Sequence, residues 1–181
     1  MDLLKFGVLL WILAHWFKRI APGLRARMGD SGKAVVAVLL LVSLVMMVIG
    51  YRRADFVVAY TPPAWGVHLN NLLMLLAVYL FAASGAKTWV ARKIRHPMLN
   101  AAIVWAIAHL LVNGDYASLI LFGGILVWAV ASIWLINLRE PEWTPPAPVP
   151  VAKEIRTAII AVVAYAGIAA IHWGLGYPPF A

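Results

Sequence analysis

The chain has 181 residues, 64% of them hydrophobic and 12% charged, a mean hydropathy of +0.88 and a net charge of +8. A soluble domain carries roughly a quarter charged and about half apolar residues, so this chain holds more apolar side chain than one water-facing core can hide. That excludes a soluble globule, a disordered chain and a disulfide miniprotein, and it predicts an integral membrane protein.

Six apolar runs follow one another, and each is expected to be a helix, because lipid offers no partner to unpaired backbone N–H and C=O groups. The first, Leu3–Phe17, has its charges after the apolar stretch (Lys18, Arg19), which does not read as a cleavable signal. The second is Ala34–Tyr51. Thr61-Pro62-Pro63 breaks the chain before the third, Val67–Ser84. Lys87–Arg95 is basic with Trp89, Val90 and Ile94 interleaved, and reads either as a short amphipathic helix on the anionic inner leaflet or as a plain basic loop. The fourth run, Met98–Val112, starts behind Arg95-His96-Pro97. Asn113-Gly114-Asp115 is a tight-turn sequence leading into the fifth, Tyr116–Asn137. Glu140–Pro150 holds five prolines and is expected to be an extended linker before the last run, Ile155–Leu175. The expected organisation is an all-α polytopic membrane bundle of about six transmembrane helices: a five-helix core over 1–139, a Pro-rich cytoplasmic linker over 140–154 and a C-terminal transmembrane helix over 155–181.

Charge sets the orientation. The loops after the first, third and fifth runs hold twelve basic residues and the opposite side three (Lys5, Arg52, Arg53). Basic loops stay in the cytoplasm, which puts both termini on the non-cytoplasmic side. The positive charge is therefore spent on topology, and no nucleic-acid partner is expected. Trp65, Trp143 and Trp173 fall near the predicted interfaces.

The chemistry available is narrow. Without cysteine there is no disulfide, thiolate nucleophile, Cys-ligated zinc, iron–sulfur cluster or covalent haem attachment. No acidic residue lies inside a run, so no carboxylate pair or acid–base relay is evident. Histidine stands out: His15, His68, His96, His109 and His172 all lie within or at the edge of a run. A neutral imidazole is the commonest metal ligand that a membrane interior tolerates, and two from different helices can clamp a haem iron. His15 and His109 are the deepest, each with a Trp four residues earlier (Trp11, Trp105) on the same helical face. Ala101, Ala102, Ala106 and Ala108 thin the fourth helix for close packing or a flat ligand. Arg95 and His96, at a helix N-terminus with Arg92 and Lys93 nearby, form a corner suited to an anion such as a haem propionate or a lipid headgroup. By depth, His68 pairs with His109 better than His15 does, since His109 lies eleven residues beyond Met98, roughly 16 Å inward.

The chain resembles the NnrU family of bacterial membrane proteins over nearly its whole length. The matching strings are Arg27-Met28-Gly29-Asp30, Gly50-Tyr51, Pro62 to His68, Leu72-Leu73-Met74, His96-Pro97-Met98-Leu99, Trp105 to Asp115, Leu121-Phe122-Gly123, and His172 with Gly176 to Phe180. The resemblance implies a link to nitrite and nitric-oxide reduction. The same superfamily contains zeta-carotene isomerase, a membrane protein that uses b-type haem. By motif position its proposed ligands are similar to His15 and His109, which are thereby the expected metal ligands. Where the isomerase has a Cys three residues before the second His, this chain has Ala106, so a mechanism needing that thiol is not implied. A weaker resemblance, through Arg95-His96-Pro97, is to the isoprenylcysteine-type methyltransferases that use S-adenosylmethionine, but their paired downstream acidic residues are not matched by Glu140 and Glu142. The readings left open are a haem b protein with a redox or isomerase role acting on a hydrophobic small molecule, a non-catalytic partner of a larger membrane complex, and a methyltransferase.

Overall fold

A computed structural model describes residues 1–180, and each of the six apolar runs is helical in it. In chain order the helices are α1 (Asp2–Ile20), α2 (Pro22–Arg27), α3 (Ser31–Arg52), α4 (Gly66–Ala86), α5 (Trp89–Lys93), α6 (Pro97–Leu110), α7 (Tyr116–Arg139) and α8 (Val151–Gly174). Among the described residues there is no strand, only an isolated backbone bridge between Val58 and Asp115.

Four helices, α3, α4, α7 and α8, are long and apolar enough to cross a membrane, against the six spans expected. The other two fall short for different reasons. α1 is long enough at 19 residues but carries Asp2, Lys5, Lys18 and Arg19 near its ends. α6 is mostly apolar but has 14 residues, about 21 Å, against a hydrocarbon layer of about 30 Å. The basic stretch after α4 does contain a helix, α5, entered through Lys87 in the left-handed conformation (φ 56°).

The chain divides into two compact units, the first made of Met1–Thr61 and Gly114–Arg139, the second of the rest. In the first unit α1 lies along α3, and glycine sets their separation. A Cβ on Gly50 would sit 2.5 Å from the Leu4 backbone nitrogen, and one on Gly7 would sit 2.9 Å from that of Met47. Lipid tails are as apolar as leucine, so helices in a bilayer associate by close packing, and small residues permit it. α7 joins α1 in the same way, Gly124 facing the Val8 side chain. Leu4, Val8, Ala14, Met47, Phe122, Ile125 and Ala129 are among the buried apolar residues of these helices.

One end of the first unit is tied by polar groups. Ala59 and Tyr60 N–H donate to the Gly114 carbonyl (2.8 and 2.9 Å), and Tyr116 N–H donates to that of Val57 (3.0 Å). Asp115 caps α7: its Oδ1 accepts from Ser118 N–H (2.9 Å) and its Oδ2 from Ser118 Oγ (2.6 Å). Ser118 thereby uses its single proton, so the Tyr51 hydroxyl, 2.8 Å away on α3, is the donor to Ser118. Asp115 and Ser118 are buried, with every one of these polar atoms answered.

Tyr60, in the segment between α3 and α4, is pushed above its ordinary phenol pKa by burial and then by the Asp115 carboxylate. An acid whose folded pKa is raised keeps its proton longer than the unfolded chain does. The native state binds more protons in that window, so stability falls as pH rises from about 10, the ordinary tyrosine value, through the higher folded value. A Tyr60→Phe variant should lose this alkaline component. Tyrosinate absorbance and thermal unfolding against pH measure it, and identical alkaline profiles for the two proteins would contradict the assignment.

The second unit contains α4, α5, α6 and α8, with α4 packed against both α6 and α8. Its interior is built from small residues: Ala77, Ala83, Ala101, Ala102, Ala106 and Ala108 are buried. Arg95 donates to the carbonyls of Glu140, Pro141 and Glu142, and Trp89 N–H donates to the Glu154 carboxylate (2.8 Å). The basic segment is therefore fastened to the proline-rich linker and to the first turn of α8.

Candidate functional site

Helix periodicity places His15 one turn beyond Trp11, and packing brings in a third ring that the sequence could not indicate. The imidazole lies 4.2 Å from the Trp11 ring and 4.6 Å from the Trp128 ring of α7, measured between centroids, and the two indoles meet edge to face at 5.5 Å. Beside this cluster Trp16 Nε1 donates to Ser132 Oγ (2.8 Å), tying α1 to α7 again. The indole nitrogens of Trp11 and Trp128 are buried without a hydrogen-bond partner in the protein. In a dry interior an unanswered donor costs about 1–3 kcal/mol, so the aromatic cluster around His15 holds two unanswered donors.

His15 Nδ1 lies 2.9 Å from the Trp11 carbonyl oxygen. A carbonyl only accepts, so Nδ1 carries the proton and Nε2 the lone pair in the neutral ring. His109 repeats the arrangement, with Nδ1 2.9 Å from the Trp105 carbonyl and ring centroids 4.8 Å apart. So does His172, with Nδ1 2.9 Å from the Ile168 carbonyl. Metal-bound histidines characteristically give their other ring N–H to a carbonyl or carboxylate, which fixes the tautomer and aims the ligating nitrogen. His109 is followed by Asn113, whose Nδ2 donates to the His109 carbonyl (2.8 Å) and closes the end of α6.

The sequence-selected residues separate by unit. Trp11 and His15 belong to the first, while His68, Arg95, His96, Trp105 and His109 belong to the second. His68 sits in the first turn of α4. His96 is the residue before α6 and makes no side-chain cap there, and Pro97 occupies the first helical turn. Arg95 has its guanidinium on the linker carbonyls, so the corner expected to receive an anion has one of its cations engaged by the chain itself. Among the described residues, no group of three or more His, Asp or Glu side chains is placed to hold a metal ion. The donor set, single imidazoles presenting Nε2, suits a metal that brings equatorial ligands of its own.

Two participants escaped sequence reasoning. Trp128 meets His15 from more than a hundred positions away, and local spacing carries no sign of it. The Asp115, Ser118 and Tyr51 network had a partial sign, because Asp with Ser three residues later at the head of an apolar run is helix-capping spacing.

The family model described as NnrU protein matches residues 3–179, and the chain belongs to the NnrU family. No curated protein and no solved structure matches it.

Proposed function

We propose that this NnrU-family protein is a bacterial inner-membrane protein that would hold b-type haem through histidine Nε2, His15 and His109 being the ligands that the superfamily resemblance implies. The observation that carries the reading is the shared fixing of Nδ1 on the carbonyl one turn earlier, which puts the lone pair of each neutral ring on Nε2. Bound haem supplies electron transfer or diatomic-gas binding, which accords with the denitrification link the family resemblance implies. Trp11 and Trp128 wall the His15 ring, and their unanswered indole N–H groups are donors for acceptor atoms of a bound group. Trp105 walls His109. Within the same proposal the shorter α1 and α6 also enter the bilayer, giving six spans with both termini outside; twelve basic residues in the odd loops against three in the others support that orientation.

Protein purified from haem-replete cells should show a Soret band and pyridine-extractable haem b at near-equimolar amount. His109→Ala should reduce haem content by tenfold or more, since even residues that merely support a metal ligand are worth about 10–100-fold in affinity. A colourless preparation that yields no haem, and takes up none when hemin is added, ends this reading.

A further inference from the structure

The short helix α5 begins where a membrane-length helix ends. α4 has 21 residues, about 32 Å of helix against a hydrocarbon layer of about 30 Å, so Lys87, the residue after its last, falls at headgroup level. Pro97 then opens α6, which packs back along α4. A segment that leaves one membrane helix and enters its packing neighbour so soon stays close to the bilayer surface.

One face of this segment is occupied by the protein. Thr88 and Ala91 are buried, and Trp89 N–H is held by the Glu154 carboxylate (2.8 Å). The other face is open and mixed in character. Trp89 is 57% exposed and Ile94 37% exposed. Lys93, one turn beyond Trp89 and also exposed, has its Nζ 6.0 Å from the indole centroid. Lys87 is exposed at the start of the segment. Among the described residues no carboxylate forms an ion pair with Lys87, Arg92 or Lys93, and Arg92 Nε has no hydrogen-bond partner. Arg95, by contrast, is engaged by the linker carbonyls.

Cations without counter-charge beside an exposed indole and an aliphatic side chain match the two layers that meet at an anionic bilayer surface. Lysine ammonium groups are attracted by headgroup phosphates, and Trp and Ile gain by entering the boundary of the acyl chains. Both layers are within reach of a segment joined at each end to a membrane helix. We propose that the Lys87–Ile94 face is a docking surface for anionic phospholipid, with Lys87 and Lys93 meeting the headgroups and Trp89 and Ile94 seated in the acyl boundary. The surface involves none of the histidines and stands whether or not haem is bound.

The chain has no cysteine, so Ile94→Cys creates a single site for a nitroxide label, itself an apolar side chain. The labelled full chain is placed in nanodiscs of phosphatidylcholine with increasing phosphatidylglycerol. Collisions of the label with oxygen, which partitions among the acyl chains, and with a nickel chelate, which stays in water, give its depth. Phosphatidylglycerol should draw the label inward. Lys87→Gln and Lys93→Gln should each raise the phosphatidylglycerol fraction needed for half the effect about fivefold, while Lys87→Arg and Lys93→Arg should leave it unchanged. High salt should weaken the response with both lysines intact, an arm that does not depend on any lysine variant folding. A label at one depth in both lipids, a response that salt does not weaken, or glutamine variants as responsive as the lysine protein overturns the proposal. So does an equal response to glycerol phosphate added to phosphatidylcholine nanodiscs, which would assign the cations to a free phosphate. Shielding of the label by polyglutamate and not by phosphatidylglycerol would assign the face to an acidic protein and overturns it equally.

Discussion

Asp115→Ala should lower the stability of the first unit by about 2–5 kcal/mol, from the Ser118 hydroxyl's hydrogen bond to a charged group, worth about 1.5–3 kcal/mol, and a helix cap worth about 0.5–2 kcal/mol. The carboxylate answers the Ser118 backbone N–H and hydroxyl, and through Ser118 it orders the Tyr51 phenol of α3. Removing it leaves the buried Ser118 N–H unanswered and the Ser118 hydroxyl with only the Tyr51 phenol oxygen to donate to. Asp115→Asn keeps an acceptor for one of them and should cost about half as much. Tyr51→Phe removes only the outermost link and should cost about 1 kcal/mol. Thermal unfolding in a fixed detergent, followed by near-ultraviolet circular dichroism, measures the series. If Asp115→Ala unfolds within half a kcal/mol of wild type, the network does not hold α7 to α3.

Gly50→Val should be comparably damaging for the opposite reason, an atom too many. Even an alanine Cβ would lie 2.5 Å from Leu4 N and 2.8 Å from Leu4 Cα. These are backbone atoms in the middle of a helical turn and cannot swing aside as a flexible side chain end does. α1 must move off α3, losing dispersion contacts along their whole seam, including those of buried Leu4, Val8 and Met47. Overpacking of this kind costs about 1–3 kcal/mol, and valine belongs at the upper end or beyond it because its methyls enter the same space. Gly85→Ala is the matched control: nothing lies within 4 Å of its Cβ position, so it should be neutral or mildly stabilising through better helix propensity. Equal melting temperatures for Gly50→Val and Gly85→Ala would refute the close approach.

The helices were legible because lipid leaves the backbone no other choice, and the runs Leu3–Phe17 to Ile155–Leu175 each contain or nearly match a helix of the structure. Their status as spans was less legible. The first and fourth runs are the short ones in the sequence, and the structure ends α6 at Leu110, where the chain turns toward Asn113, and leaves charges near both ends of α1. The Trp11 and His15 pair, and the Trp105 and His109 pair, follow from the helical repeat alone. What joined them to other helices did not. Trp128 against His15 and Arg95 on the linker carbonyls are products of packing between segments far apart in the chain. Single-sequence spacing informs only about neighbours within a turn or two.

Between Leu119 and Gly123 the backbone of α7 adopts π-helical geometry. Each hydrogen-bonded ring there takes in one more residue than in an α-helix, and one residue corresponds to about 100° of rotation about the axis. This wide turn therefore acts as a phase adjuster. It lets Ser118 meet Tyr51 at one end of α7 while Trp128 and Ser132 meet His15 and Trp16 further along. Substitution in that stretch leaves the phase intact, whereas losing or gaining a single residue would rotate one set of partners away from its neighbours and uncouple the aromatic cluster from the cap.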